Sequence, residues 1–160
     1  MARAIIDEVK TPLILYVESD TPLVTDEKIE WDMLEHIILD GKSNLIRLHF
    51  EGVIPKDHEH LMLGDPETGV LKTIQWSQRP HLASTAYYRR ILNEHFSDKS
   101  RVYIEDKMHS VIDVAYRKDG EQGWLQHRLH IYYPNDKNIK RSYHLDQREG
   151  GPKFEDKFVW

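Results

Sequence analysis

The chain has no cysteine among its 160 residues, which removes disulfides, thiolate zinc sites and cysteine nucleophiles from consideration. Long apolar runs are missing as well. The longest, PLILYV from Pro12 to Val17, falls far short of the roughly 20 residues that span a bilayer. Met1-Ala2-Arg3 leads straight into AIIDEVK, without the apolar core of a secretory signal. These absences lead us to expect a cytoplasmic protein with no membrane partner. The sequence also lacks a Gly-rich phosphate loop, a Gly-x-Ser-x-Gly elbow and a His-Glu-x-x-His zinc helix. No organic cofactor is predicted.

A chain of this length fits one domain, and a domain of that size buries roughly 70% of the surface its unfolded chain exposes. Residues 1–160 are therefore read as one domain with its own core, residues 148–160 forming a tail segment. The formal net charge of −5 is unevenly spread. Residues 1–80 carry 8 basic and 15 acidic side chains, residues 81–160 carry 14 and 12. Eight acids lie between Glu18 and Asp40 against Lys28 alone. Such a surface repels phosphate and attracts basic partners over roughly 8 Å in physiological salt. Nucleic acid is not an expected partner.

Pro12 to Glu18 reads as a strand closed by the turn Ser19-Asp20-Thr21-Pro22. A helix is predicted from about Asp26 to Asp40, with Thr25 as N-cap and Gly41 just past its end. Its apolar side carries Ile29, Trp31, Leu34, Ile37 and Ile38. Asn44 to Glu51 alternates Ile46, Leu48 and Phe50 with Arg47, His49 and Glu51, the pattern of a half-buried strand. Residues 53–69 read as a connection, and Val70 to Trp76 as another strand. Residues 82–96 have helical spacing. Met108 to Arg117 and Trp124 to Tyr133 read as a hairpin around KDGEQG, with Asp113 opposite Arg128, followed by a third strand from Asn138 to Leu145. The predicted fold is α+β: a mostly antiparallel sheet with a C-terminal meander and two helices.

Several constellations could carry chemistry. In KDHEHLMLGD, His58 and His60 share one side if the segment is extended, and paired imidazoles can take two corners of a divalent metal site, with Glu67 and His81 as further ligands. The competing reading, and the one adopted, is a solvated polar loop. His127 interrupts the apolar face between Leu125 and Leu129 and is the one catalytic candidate; with Tyr116 or Tyr133 it could orient a small ligand in a sheet-lined pocket. The alternative is a core histidine with a hydroxyl partner such as Ser110. Glu30 sits within the apolar stripe of the first helix, near enough to its start for the carboxylate to reach water. Arg90 and His95 have the Arg-x4-His spacing of some all-helical ribonucleases, which a chain reading mostly as strand does not suit. Phe154, Phe158 and Trp160 in the tail are read as covering this protein's own core.

No set of residues makes a convincing catalytic centre, so the expectation leans away from an enzyme. The leading reading is a binding protein of inhibitor or immunity type, in which Asp26, Glu27, Asp32, Glu35 and His36 meet a basic protein surface. The alternative is a small-molecule-binding protein or small enzyme with its pocket around His127.

Overall fold

A computed structural model describes residues 2–24, 27–49, 53–97, 99–134 and 139–145. In chain order the elements are α1 (Ala2–Glu8), β1 (Leu13–Tyr16), α2 (Trp31–Leu39), β2 (Leu45–Arg47), a 3-10 turn (Lys56–Leu61), β3 (Met62–Glu67), β4 (Val70–Thr73), β5 (His81–Ser84), α3 (Thr85–His95), α4 (Ile104–Asp119), α5 (Glu121–Leu125) and β6 (Leu129–Tyr132). The strands form one six-stranded sheet in the order β1-β5-β2-β6-β4-β3. Only the β2–β6 pair is parallel; the other neighbours are antiparallel. The α+β class with a mostly antiparallel sheet is as the sequence predicts.

Two apolar clusters lie on the two sides of this sheet. One gathers Leu34, Ile37 and Ile38 of α2 with Ile46, Leu48, Val70, Leu82 and Tyr132. The other packs Ile6, Tyr88, Ile91, Met108, Ile112 and Trp124 from the remaining helical segments against Leu45, Ala83 and Leu129. Alternate residues of a strand point to opposite faces, so with Leu45 in one cluster and Ile46 in the other, β2 is covered on both sides. That corrects the half-buried reading of this strand. Arg47 and His49, expected to face water, are 2% and 3% exposed.

The C-terminal meander is not formed. Met108 to Arg117 lies within α4, where Ile104, Met108 and Ile112 fall at helical spacing, Glu105 and Asp106 occupy the first turn and Arg117 and Lys118 the last, which suits the helix dipole. Asp113 pairs with Arg117 one turn on, at 2.9 Å, rather than with Arg128 across a hairpin. KDGEQG is a helix–helix turn. Gly120 ends α4 with φ of 57° while its N–H reaches the Tyr116 carbonyl at 2.8 Å. Gly123 lets α5 lie directly on α4: a Cβ there would stand 2.0 Å from the Ala115 carbonyl oxygen. Of the expected strand 124–133, only Leu129–Tyr132 is extended.

Other boundaries shift for local reasons. The helix read over 82–96 begins at Thr85 because His81–Ser84 pairs in the sheet, and the Ser84 hydroxyl caps α3 by accepting from the Tyr87 N–H at 3.3 Å. The connection 53–69 contains β3, the edge strand, where Pro66 is tolerated because an edge residue has no second neighbour to bond. It joins β4 through Thr68 and Gly69, at φ of 50° and 77°, the left-handed pair that a tight hairpin requires. Residues 139–145 form no strand; Ser142 makes a single bridge to Leu23. The expected N-cap Thr25, residue Asn138 and the tail residues Phe154, Phe158 and Trp160 lie outside the described residues. Among the described residues no helix is long and apolar enough to cross a membrane.

Candidate functional site

Beyond the end of β2, on the side that carries Leu45, lies a polar cavity of about 300 Å3. Four stretches of chain meet there. β2 and its continuation supply Arg47 and His49, and the 3-10 turn opened by Pro55 supplies His58, whose N–H bonds the Pro55 carbonyl at 2.9 Å. The segment between β4 and β5 supplies Gln75, Ser77, Gln78 and Arg79. Glu18 and Thr21 after β1, Glu105 in the first turn of α4, and His144 complete the wall.

Hydrogen bonds centred on the Glu18 carboxylate and Gln78 fix much of this wall. Gln78 donates to Glu18 Oε1 at 2.5 Å and to the Tyr16 hydroxyl at 3.1 Å, and its own carbonyl receives the Glu105 backbone N–H at 3.2 Å. Tyr16 in turn donates to Glu18 Oε1 at 2.9 Å, and burial together with that carboxylate pushes its phenol up to about 12. Behind them His81 is fully enclosed. Its Nδ1 lies 2.6 Å from the Arg79 carbonyl, which can only accept, so Nδ1 carries the proton and Nε2 receives the Tyr88 hydroxyl at 2.5 Å. Burial holds this imidazole near a pKa of about 4, and Tyr16 stacks on it at 4.8 Å. The effect is to anchor the backbone of Arg79 beside the cavity.

The positive side of the site is less completely paired. Arg47 donates from Nη2 to Gln75 Oε1 at 2.9 Å, makes no ion pair among the described residues, and leaves its Nε–H without a partner there. Burial lowers its guanidinium to about 10, opposed by the Glu105 carboxylate and assisted by Arg79. Burial, then Arg47, Arg79 and His58, press His49 down to about 2, so its imidazole stays neutral at any ordinary pH. Thr21 Oγ1 and His58 Nδ1 are likewise buried without partners among the described residues. Buried polar atoms are nearly always satisfied by protein, water or ligand, so three orphans on one cavity are informative.

Neighbouring hollows lack this feature. The one beneath α2, about 330 Å3, is lined mainly by apolar atoms around Ile37, Val70 and Trp124. Its polar groups answer one another: Lys72 with Glu121 at 3.7 Å, Arg128 with the Gly41 carbonyl, and His130 with the Ser43 hydroxyl at 2.9 Å. A hollow of about 300 Å3 beside Tyr87 has Asn44 donating to the His127 carbonyl and Arg90 to that of Gln126.

Of the residues singled out from the sequence, His58 lines this cavity and the partner- and ligand-binding candidates lie elsewhere. His127 is buried in the turn after α5 and meets the Tyr87 hydroxyl at 3.0 Å through Nδ1. Tyr133 follows the far end of β6, and Tyr116 sits on α4 with no hydrogen bond or ring contact to His127. Ser110 bonds the Asp106 carbonyl within its own helix. His58 and His60 sit on a 3-10 turn, where residues two apart point to different sides; His58 faces the cavity and His60 is exposed. His81, offered as a further ligand, is committed to Tyr88 and Arg79. No group of three His, Asp or Glu is placed to hold a metal among the described residues.

Asp32, Glu35 and His36 are exposed on α2, with His36 Nδ1 2.5 Å from the Asp32 carbonyl; Glu27 is exposed before the helix and Asp26 lies outside the described residues. Glu30 precedes α2 and pairs with Lys28 at 2.6 Å, as Asp40 does with Lys42 at 3.2 Å. Arg90 stacks on Tyr87 at 5.3 Å and His95 lies beside Glu94, so the ribonuclease-like spacing builds no site. Sequence reasoning passed over Arg47, His49, Arg79 and Glu105. The one available signal was a strand, LIRLHF, whose polar residues would have to be buried if β2 were central.

Comparisons of the chain with known protein families, with curated proteins and with solved structures find no match.

Proposed function

We propose that this protein binds a small polar molecule in the cavity over Arg47. The reading moves the sheet-lined pocket expected around His127 to the other end of the sheet. One observation carries it: Thr21, Arg47 and His58, from three separate segments, all line one cavity, and Thr21 Oγ1, Arg47 Nε and His58 Nδ1 are buried without a protein partner among the described residues. An unpaired buried guanidinium is costly to keep, and such groups are arranged where something binds. At about 300 Å3, the cavity is at the lower end of the roughly 300–1000 Å3 typical of small-ligand sites. The test is a metabolite and fragment library read by thermal shift on the full chain and on Ser77→Trp, which places an indole at the rim. Hits that stabilise the wild type and lose their effect in the variant support the reading; a library without such hits refutes it.

A second reading rests on the exposed carboxylates of Asp32 and Glu35, which make no ion pair among the described residues. A basic protein surface is the matching partner. Its test is capture of a basic protein by the wild type that fails with Asp32→Lys and Glu35→Lys together.

A further inference from the structure

Resting on the pocket reading above, we infer that the ligand presents an oxyanion, a carboxylate or phosphate group, to Arg47. The argument is one of hydrogen-bond sense. Arg47 Nε can only donate. Thr21 Oγ1 and His58 Nδ1 can each donate, the hydroxyl by rotation and the imidazole by choice of tautomer. These three atoms, on residues that line the cavity, therefore suit the same complement, a group rich in lone pairs. Charge points the same way. Arg47 is 2% exposed with a single neutral hydrogen-bond partner, Gln75, and no ion pair among the described residues. Glu18 receives Tyr16 and Gln78 on Oε1 and makes no ion pair with Arg47 among the described residues. The Glu105 carboxylate attracts Arg47 without a direct ion pair, and a carboxylate or phosphate oxygen on Arg47 adds a directly bonded countercharge, a charge-assisted bond where water is scarce.

The experiment titrates the 15N-labelled full chain with acetate, with acetamide, which has acetate's shape without its charge, and with inorganic phosphate, following the Arg47 Nε–Hε cross-peak in the wild type and the backbone amide peaks of Gln75 and Ser77 in the wild type and the variants. The inference expects a saturable shift with acetate or phosphate and none with acetamide. Which of the two anions binds tells a planar carboxylate from a tetrahedral phosphate. In Arg47→Met affinity falls at least about tenfold, the effect of losing a charge-assisted bond. In Thr21→Val, which keeps shape and removes the hydroxyl, it falls by about three- to tenfold. Thr21→Val carries the test if Arg47→Met does not fold. Equal binding of acetamide and acetate overturns the inference, as does anion binding unchanged in both variants. Failure of both anions alongside a neutral library hit lost in Ser77→Trp overturns the oxyanion and leaves the pocket standing; no ligand of any kind removes both.

Discussion

Replacing Arg47 by methionine should make the unliganded protein more stable. Burial lowers the folded-state guanidinium pKa to about 10 from an ordinary value of 12.5. A cation whose pKa falls on folding is disfavoured in the folded state at every pH below that value, here by about 3 kcal/mol. Methionine fills similar space without charge. What the substitution loses is the bond to Gln75, worth about 1.5–3 kcal/mol as a hydrogen bond to a charged group, and Gln75 can turn its oxygen to water in the cavity. The attraction to Glu105 lies within the same pKa, since it raises the value that burial lowers. Removing a buried, incompletely paired charge is often stabilising by about 1–4 kcal/mol, and we expect a gain of about 1–2. Urea unfolding checks it, with the slope unchanged so that the midpoint reports stability. A loss of more than about 1 kcal/mol at unchanged slope would show that Arg47 holds the sheet together and refute the reasoning.

Three further outcomes follow. Stability should fall as pH drops from about 6.5 toward 4, because His81, His127 and His130 are each held near 4 by burial while unfolded histidine binds its proton near 6.5; the slope reaches up to about 1.4 kcal/mol per pH unit per histidine, and a flat profile between pH 6.5 and 5 in chemical denaturation speaks against it. Gly123→Ala should cost at least about 2 kcal/mol, since its methyl meets the Ala115 carbonyl; a thermal midpoint equal to wild type would contradict the α4–α5 packing. Tyr87→Phe strands His127 Nδ1 and should cost about 1–3 kcal/mol, with ligand affinity at the Arg47 cavity unchanged.

How far the sequence spoke for the fold depends on the element. β1, β4 and the C-terminal part of α2 are legible because apolar periodicity and the bounding turn residues agree, whereas the helix predicted from about Asp26 starts only at Trp31. α4 misled because Val111, Ile112, Val114 and Tyr116 are strand-favouring residues, and tertiary packing of Met108 and Ile112 overrode that preference. β3 was hidden by Gly64, Asp65 and Pro66, which an edge strand tolerates and a central one does not. Candidate site residues were the least legible, because Thr21, Arg47, His58, Arg79 and Glu105 come from segments far apart in the chain. The alternation in LIRLHF is plain, but nothing local shows that its polar half is buried. Only the position of β2 between β5 and β6, under helices on both faces, turns Arg47 into a buried charge.

The most direct measurement is a crystal structure of the full chain soaked in sodium phosphate, because it shows what the atoms around Arg47 touch. The account predicts a tetrahedral anion within hydrogen-bond distance of Arg47 Nε and Thr21 Oγ1. Ordered waters alone in that cavity, with phosphate bound elsewhere or nowhere, would contradict it.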